Sequence, residues 1–382
     1  MPTTESYGFD TVISRHHTNS AKWDKYKGQD IIPLWVADTD FKVAPVILQA
    51  LEERLTHGVF GYTHPDQDSN QLVADYYKKK YGCHVEPQWV VWVPGVVASL
   101  SLAIRSLSKQ HNQVLTPDMV YPYFHTTPAA AGKQANHLTM TYAQDRVRLD
   151  LDALEKRNAE DARVMLFCNP QNPGGAVYTR QELERIDAYC EANKLILVSD
   201  EIHADIILDA DKCHTPYLDI SPHALNNSIV IGAASKAFNI AGLACSWAVI
   251  ANPEIRQAFQ KEMHGIVSQI SPFGYTATLA ALEHGDDWLE AMNTYLRANR
   301  DYLMAEFADI KGIRMLPLES TFLAWLDVSE LNLEDPAAFF EAAGIGLSPG
   351  KGFNDANFLR LNFGCARSVL KQAIERIKTA LA

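Results

Sequence analysis

The sequence predicts an α/β fold: a three-layer, mainly parallel sheet covered by helices on both faces, followed by a smaller α+β unit. Two observations carry this expectation. The strand candidates of the first two thirds are short apolar runs that do not alternate, as strands buried on both faces require. Amphipathic stretches long enough for helical crossovers lie between them. Length supplies the second unit, because 382 residues exceed one ordinary core. The expected division is an arm at 1–43, a large domain at 44–285 and a small one at 286–382. The last boundary falls around His284-Gly285-Asp286.

The first forty residues read as an irregular arm, with Pro33 before Leu34-Trp35-Val36-Ala37-Asp38. A helix over 44–56 follows, with Pro45 in its first turn. Trp89 to Val93 is a strand candidate, followed by Pro94-Gly95 and a helix from about Ala98 to Lys109. Gln113 to Leu115 and Arg163 to Cys168 are the next strands, the latter running into Asn169-Pro170-Gln171-Asn172-Pro173-Gly174-Gly175. A helix over Glu182 to Asn193 leads to Leu195 to Val198, which closes on Ser199-Asp200-Glu201. Ser228 to Ile231 closes on Ala234-Ser235-Lys236. In the carboxyl third, a long helix over Trp288 to Phe307 precedes strands at Phe322 to Leu326 and Phe358 to Phe363. The last helix carries Leu370, Ile374, Ile377 and Leu381 on one stripe.

Composition narrows the function. Hydrophobic residues make up 47% and charged residues 21%, ordinary for a globular chain. Lys plus Arg total 34 against 46 Asp plus Glu, a net charge of −12. With no basic run, nucleic acid is not an expected partner. No apolar stretch approaches the ~20 residues of a membrane span, and Met1 to Asp10 are polar, so neither a membrane nor a signal peptide is expected. The six cysteines include no CxxC pair, which disfavours zinc-ribbon and thioredoxin readings; in a chain this long with no signal peptide visible, reduced thiols and a cytoplasmic setting are expected. The thirteen histidines form no HExxH, so no metal is expected.

Parallel sheets of this kind bind ligands at the carboxyl ends of their strands, and the polar residues just named stand there. Lys236, flanked by small and apolar residues, would lose hydration and be held as a neutral amine able to form a Schiff base. Taken singly, a strand-end lysine is most often a solvated surface residue. Asp200 follows four apolar strand residues and needs a partner if it is to stay ionised. A ring N–H would be one, and a helix cap or a structural ion pair another. Asn172 sits in a turn fixed by two prolines and two glycines and could donate to a phenolate-like oxygen, although such turns are common. Pro94-Gly95-Val96-Val97-Ala98-Ser99 would let backbone N–H groups approach a phosphate at a helix start. Neither GxxxxGK[ST] nor GxGxxG is present, which disfavours a nucleotide fold.

In this order, NPxNPxG, a strand ending in Asp, Ser-Lys and a late Arg resemble pyridoxal-phosphate enzymes of the aspartate aminotransferase fold, fold type I. The likeness runs over nearly the whole chain. Leu34-Trp35-Val36-Ala37-Asp38-Thr39-Asp40-Phe41, Gly61-Tyr62-Thr63, Asp200-Glu201-Ile202-His203, Ser235 to Leu243, and Arg360-Leu361-Asn362-Phe363-Gly364 are similar to the cystathionine β-lyase group of MalY/PatB type. The resemblance implies pyridoxal 5′-phosphate carried on Lys236, with Asp200 against the pyridine nitrogen and Asn172 on the ring oxygen. It implies Tyr121 stacked on the ring, with Tyr123 a rival that would otherwise face the substrate. Val96, Val97 and Ser235 would hold the phosphate, and His203 would line the ring. Tyr62 would reach the cofactor of the other subunit of a homodimer with shared active sites. Arg360 would clamp the substrate α-carboxylate, with Ala37 and Asp38 at the entrance. Two departures stand out. Thr39 replaces the usual Met, and Ala244 stands where many aminotransferases of this fold carry a phosphate-binding Arg, beside Ala233 in place of a frequent Ser. The activity implied is α,β-elimination from L-cystathionine or a related cysteine S-conjugate, giving thiol, pyruvate and ammonia. An aminotransferase and a non-catalytic regulatory protein of the same fold are the alternatives.

Overall fold

The computed structural model describes residues 7–143 and 146–382. The first six residues of the expected arm lie outside the described residues. Among the described residues, seven strands form the central sheet: β1 (Val90–Val93), β2 (Gln113–Pro117), β3 (Gln134–Leu138), β4 (Ala162–Cys168), β5 (Ile196–Asp200), β6 (Ser228–Gly232) and β7 (Ser246–Val249). Their spatial order is β1-β7-β6-β5-β4-β2-β3. All neighbours pair in parallel except β7, which runs antiparallel to both β1 and β6.

The unalternating strands follow from two apolar faces. Along β4, Val164, Leu166 and Cys168 enter one core while Met165 and Phe167 enter the opposite one; on β5, Ile196 and Val198 part from Leu197 in the same way. Eight of the helices matter here: α1 (Pro45–His57), α2 (Gln67–Tyr81), α3 (Val96–Leu107), α4 (Arg180–Ala192), α5 (Pro253–Met263), α6 (Pro272–His284), α7 (Asp286–Ala308) and α8 (Arg367–Leu381). Helices α3 and α5 cover one face through Leu100, Ile104, Ile255 and Phe259. Helices α2, α4 and α6 cover the other through Val73, Tyr77, Leu183, Ile186 and Tyr275. Helix α4 starts on a capping box, Thr179 with Glu182.

The carboxyl third builds a second sheet from β8 (Arg314–Met315), β9 (Leu323–Asp327), β10 (Ser348–Pro349) and β11 (Phe358–Asn362), antiparallel in the order β8-β9-β11-β10. Its core collects Leu296 and Leu303 of α7 with Leu370, Ile374 and Ile377 of α8, and takes in Phe9, Leu34 and Phe41 of the arm. The arm is not wholly irregular: Ile32–Pro33 pairs in parallel with Ile345–Gly346. Strand β7 and this short pairing had no sequence signal, because four residues of mixed type and a pair ending in proline make no pattern. Among the described residues, no helix is long and apolar enough to cross a membrane.

Candidate active site

The carboxyl ends of β1, β4, β5 and β6 share one edge of the sheet, since β7 alone is reversed. Asp200 is the last residue of β5 and lies beside Cys168, the last of β4. Its carboxylate is buried and accepts the Ile202 N–H at 3.3 Å. Burial pushes this carboxyl up to about 7, against the Ile202 bond and the nearby Lys236 charge, which favour ionisation. Lys236 stands four residues beyond β6. The turn that carries it closes through Phe238 N–H to the Ala234 carbonyl at 2.9 Å and Ile240 N–H to the Ser235 carbonyl at 3.1 Å. Its Nζ donates to the Ala37 carbonyl at 2.7 Å. Burial lowers the amine to about 8, helped by the Arg360 charge and opposed by Asp38 and Asp200.

The loop after β4 is folded on its own side chains. Gln171 Oε1 accepts the Gly174 N–H, and Gln171 Nε2 donates to the Met119 carbonyl at 2.8 Å. Gly175 has φ +65°, and a Cβ there would lie 2.7 Å from the Ser320 carbonyl, so both conformation and space demand glycine. The loop presents Asn172, whose Oδ1 accepts from Arg360 Nη1 at 3.0 Å. Arg360, on β11, is buried. Its Nη2 donates to the Trp35 carbonyl at 2.9 Å and to Ser348 Oγ at 3.3 Å, and its guanidinium lies 4.8 Å over the Phe353 ring. Burial lowers it to about 10, with only Tyr121 acting in the other direction. Among the described residues no carboxylate pairs with it.

Helix α3 begins directly after Gly95, whose φ of +104° and ψ of 153° are open to glycine alone. Ser246 Oγ accepts the Gly95 N–H at 3.2 Å and donates to the Val93 carbonyl at 2.8 Å. The first helical bond is Ser99 N–H to the Gly95 carbonyl, so the N–H groups of Val96, Val97 and Ala98 are the donors left at the helix start.

These elements enclose a cavity of about 290 Å³. Of the residues singled out in the sequence, Ala37, Val96, Val97, Tyr121, Asn172, Asp200, His203, Ser235 and Lys236 line it, as does Ala244. Arg360 reaches it through Asn172. Tyr123 does not line it. It is 47% exposed, with its ring 5.3 Å from that of Tyr121, so Tyr121 is the aromatic at the cavity. Asp38 does not line it either, because Arg15 takes both its carboxylate oxygens, at 3.2 and 2.7 Å. Tyr62 is 94% exposed and belongs to no wall of this cavity. The sequence reading missed the Trp35 carbonyl, Ser348, Ser246 and Arg15. Carbonyls carry no signal in a sequence, and the three side chains are common surface types outside any motif.

Two buried side-chain nitrogens in this site lack a partner among the described residues. Nδ1 of His203 and Nε of Arg360 are buried without a hydrogen bond, and His203 is pushed down to about 3 by burial and the adjacent Lys236 and Arg360 charges, so its ring is neutral. The arrangement can seat an anion at the start of α3, a cationic N–H against Asp200, a carbonyl carbon at Lys236 and a carboxylate at Arg360.

Comparison with known proteins agrees with this chemistry. Residues 29–377 match the model of the aminotransferase class I and II family. The cystathionine β-lyase PatB of Bacillus subtilis (strain 168) is 33% identical, over 98% of this chain and 100% of its own. The crystal structure of OvoB superposes with a TM-score of 0.95 at 40% identity, over 98% of this chain and 99% of that one. Cystalysin from Treponema denticola, a structure containing pyridoxal 5′-phosphate, gives a TM-score of 0.94 at 29% identity, with 98% of each chain covered.

Proposed function

We propose that this chain, which belongs to the aminotransferase class I and II family, is a pyridoxal-phosphate-dependent carbon–sulfur β-lyase acting on L-cystathionine or a related cysteine S-conjugate. One observation carries the reading: a lysine amine lowered to about 8 and a buried carboxylate line one cavity, and an arginine that pairs with no carboxylate among the described residues stands behind the cavity's Asn172. The residues fit the cofactor. Lys236 would carry it, Asp200 would face its ring nitrogen, and Val96, Val97 and Ser235 would hold its phosphate. Asn172 has its Oδ1 committed to Arg360, which turns its amide nitrogen into the donor left for the ring oxygen. Tyr121 would cover the ring face.

When bound, pyridoxal phosphate supplies an aldehyde that joins amines and a cationic ring that takes up the electron pair of a broken Cα–H bond. Arg360 would orient the substrate by its α-carboxylate, using the buried Nε–H that has no partner among the described residues. Lys236, near neutrality, would remove the Cα proton. Asp200 would hold the proton on the ring nitrogen. The protonated Lys236 would return its proton to the departing sulfur. Overall, cystathionine and water give homocysteine, pyruvate and ammonia.

The name of the PatB relative supports elimination over transamination, as does Ala244 in place of a phosphate-binding arginine. Six free thiols, five of them buried, support a reducing cytoplasm. Leu55, Val59, Phe60 and Tyr62, all exposed, form an apolar stretch that supports a homodimer in which Tyr62 serves the other subunit's site. We keep the division at 1–43, 44–285 and 286–382 as part of this reading. The test is to incubate the purified protein, loaded with cofactor, with L-cystathionine and no keto acid. Pyruvate and homocysteine in equal amounts are expected. Turnover that requires an added keto acid and releases no pyruvate would replace the lyase with an aminotransferase.

A further inference from the structure

The segment Leu34 to Phe41, whose Ala37 lines the cavity, is a strap with its backbone tied on both sides. On the inner side, the Trp35 carbonyl accepts from Arg360 and from Ser348 Oγ, the latter at 2.7 Å, and the Ala37 carbonyl accepts from Lys236. Asn239, at φ +56° in the turn that carries Lys236, takes the Thr39 N–H at 3.1 Å and donates to the Phe41 carbonyl at 2.8 Å. On the outer side the strap is held by charge. Arg15 forks onto Asp38 and also donates to Asp40 at 2.8 Å. Lys22, fully buried, donates to Asp40 at 2.8 Å, and Trp23 Nε1 to the same carboxylate at 3.0 Å.

We propose that Arg15 is a positioning residue for Lys236: its fork holds and neutralises Asp38, and through the strap it keeps the Ala37 carbonyl on the lysine amine. Charge-assisted bidentate bonds are the strong ones, and this pair is three-quarters buried, so solvent does not screen it away. Residue 38 is the neighbour of residue 37 along the chain, so fixing one carboxylate fixes the adjacent carbonyl. The groups that act on the amine are Arg360, Asp38 and Asp200, with the neutral His203 beside them. Of the two carboxylates, Asp38 has its charge offset by the Arg15 fork and, at 3.7 Å, by the Lys22 ammonium. The inference deepens the proposed reading of the site, but its geometry needs no cofactor.

The test uses the cofactor-free protein. Competitive labelling with acetic anhydride over a pH series, read on the Lys236 peptide by mass spectrometry, gives the amine's midpoint and its plateau rate. Arg15→Met leaves Lys22, at 3.7 Å, as the one cation paired with Asp38 among the described residues, so part of the Asp38 charge is released, the midpoint rises by about half a unit to one unit and labelling at pH 7.5 slows roughly three- to eightfold. Asp38→Asn moves the midpoint down by a similar amount, with labelling about twofold to threefold faster. Opposite shifts are the signature, because an arm that came away from the cavity altogether would hydrate the amine and raise the midpoint in both variants. Glu341→Gln breaks a different anchor of the arm, to Tyr26 and Lys25, and leaves midpoint and plateau unchanged. Should Arg15→Met not fold, Arg15→Lys keeps the charge without the fork, and a raised plateau at the wild-type midpoint is expected. Shifts in one direction, no shift, or an unchanged plateau in Arg15→Lys overturn the proposal. None of these readings depends on turnover, so a protein without lyase activity leaves the inference standing, and the reverse also holds.

Discussion

The floor and the roof of the cavity are built by different means. The floor is the edge of the central sheet, where Asp200 ends β5 and Lys236 follows β6 within a few residues of a fully buried strand. Its side chains are fixed by parallel register, Cys168 against Asp200 and Asp200 against Ile231. The roof is the arm strap together with β11, held by contacts such as Trp35 with Arg360 and Val36 with Asn362, over 320 residues apart in sequence. The floor puts reactive groups in a desolvated place and shifts their titration. The roof binds with backbone carbonyls and one guanidinium, and so governs alignment. Changes to the floor should therefore abolish or slow chemistry, and changes to the roof should weaken substrate binding first.

The largest effect sharpens that contrast. Lys236→Ala removes the amine that moves the Cα proton, and a drop in kcat of at least ~10³-fold is expected while the fold is kept. Pyruvate release from cystathionine and a far-ultraviolet circular dichroism spectrum measure both. Residual turnover within tenfold of wild type would place the base elsewhere and remove the distinction. For the roof, Arg360→Lys keeps a charge but loses the planar fork that meets Asn172 and Trp35 together. KM for cystathionine should rise roughly 10–100-fold with kcat falling much less. A kcat loss at constant KM would make the roof part of the chemistry.

The same contrast explains what was legible. A carboxylate after the apolar run Leu195 to Val198 and a lysine after Ser228 to Ile231 are each weak signals taken singly, and Asp200 and Lys236 stand out only through their combination and order with the other strand-end elements. Asn172 is marked by the prolines and glycines around it. Arg360 is one of many arginines, and only the family resemblance singles it out. Tyr121 and Tyr123 are two residues apart, and the sequence could not choose between them. The start of a short helix at Tyr123 makes the choice by turning that ring outward. Arg15 and Lys22 had no mark, because their meaning lies in a fold-back onto Asp38 and Asp40 that no local pattern encodes. Strand β7 was hidden for a related reason: Ser246-Trp247-Ala248-Val249 becomes a strand only because β1 and β6 flank it.

The smallest effect tests whether the floor is desolvated as described. Asp200 has an ordinary value near 3.8 and is raised to about 7 by burial in the folded protein. Between those values the native state keeps a proton that the unfolded chain has released. Stability contributed by this group is thus fully present below about 4 and is lost as pH rises through about 7. Asn cannot titrate, so Asp200→Asn removes this loss. His203 works in the opposite sense: it is lowered to about 3, so its contribution increases as pH rises from about 3 to 6.5, but it is present in both proteins and cancels in the difference. Urea unfolding of the two cofactor-free proteins should therefore agree near pH 4 and diverge upward. By pH 7.5 the variant should be more stable by roughly 2 kcal/mol, less than the full linkage value because Asn forfeits the attraction to Lys236. Curves that stay parallel from pH 4 to 7.5 would mean that Asp200 ionises as freely as a surface carboxylate. The floor would then be no drier than the protein surface, and the difference between the two regions would be one of sequence distance alone.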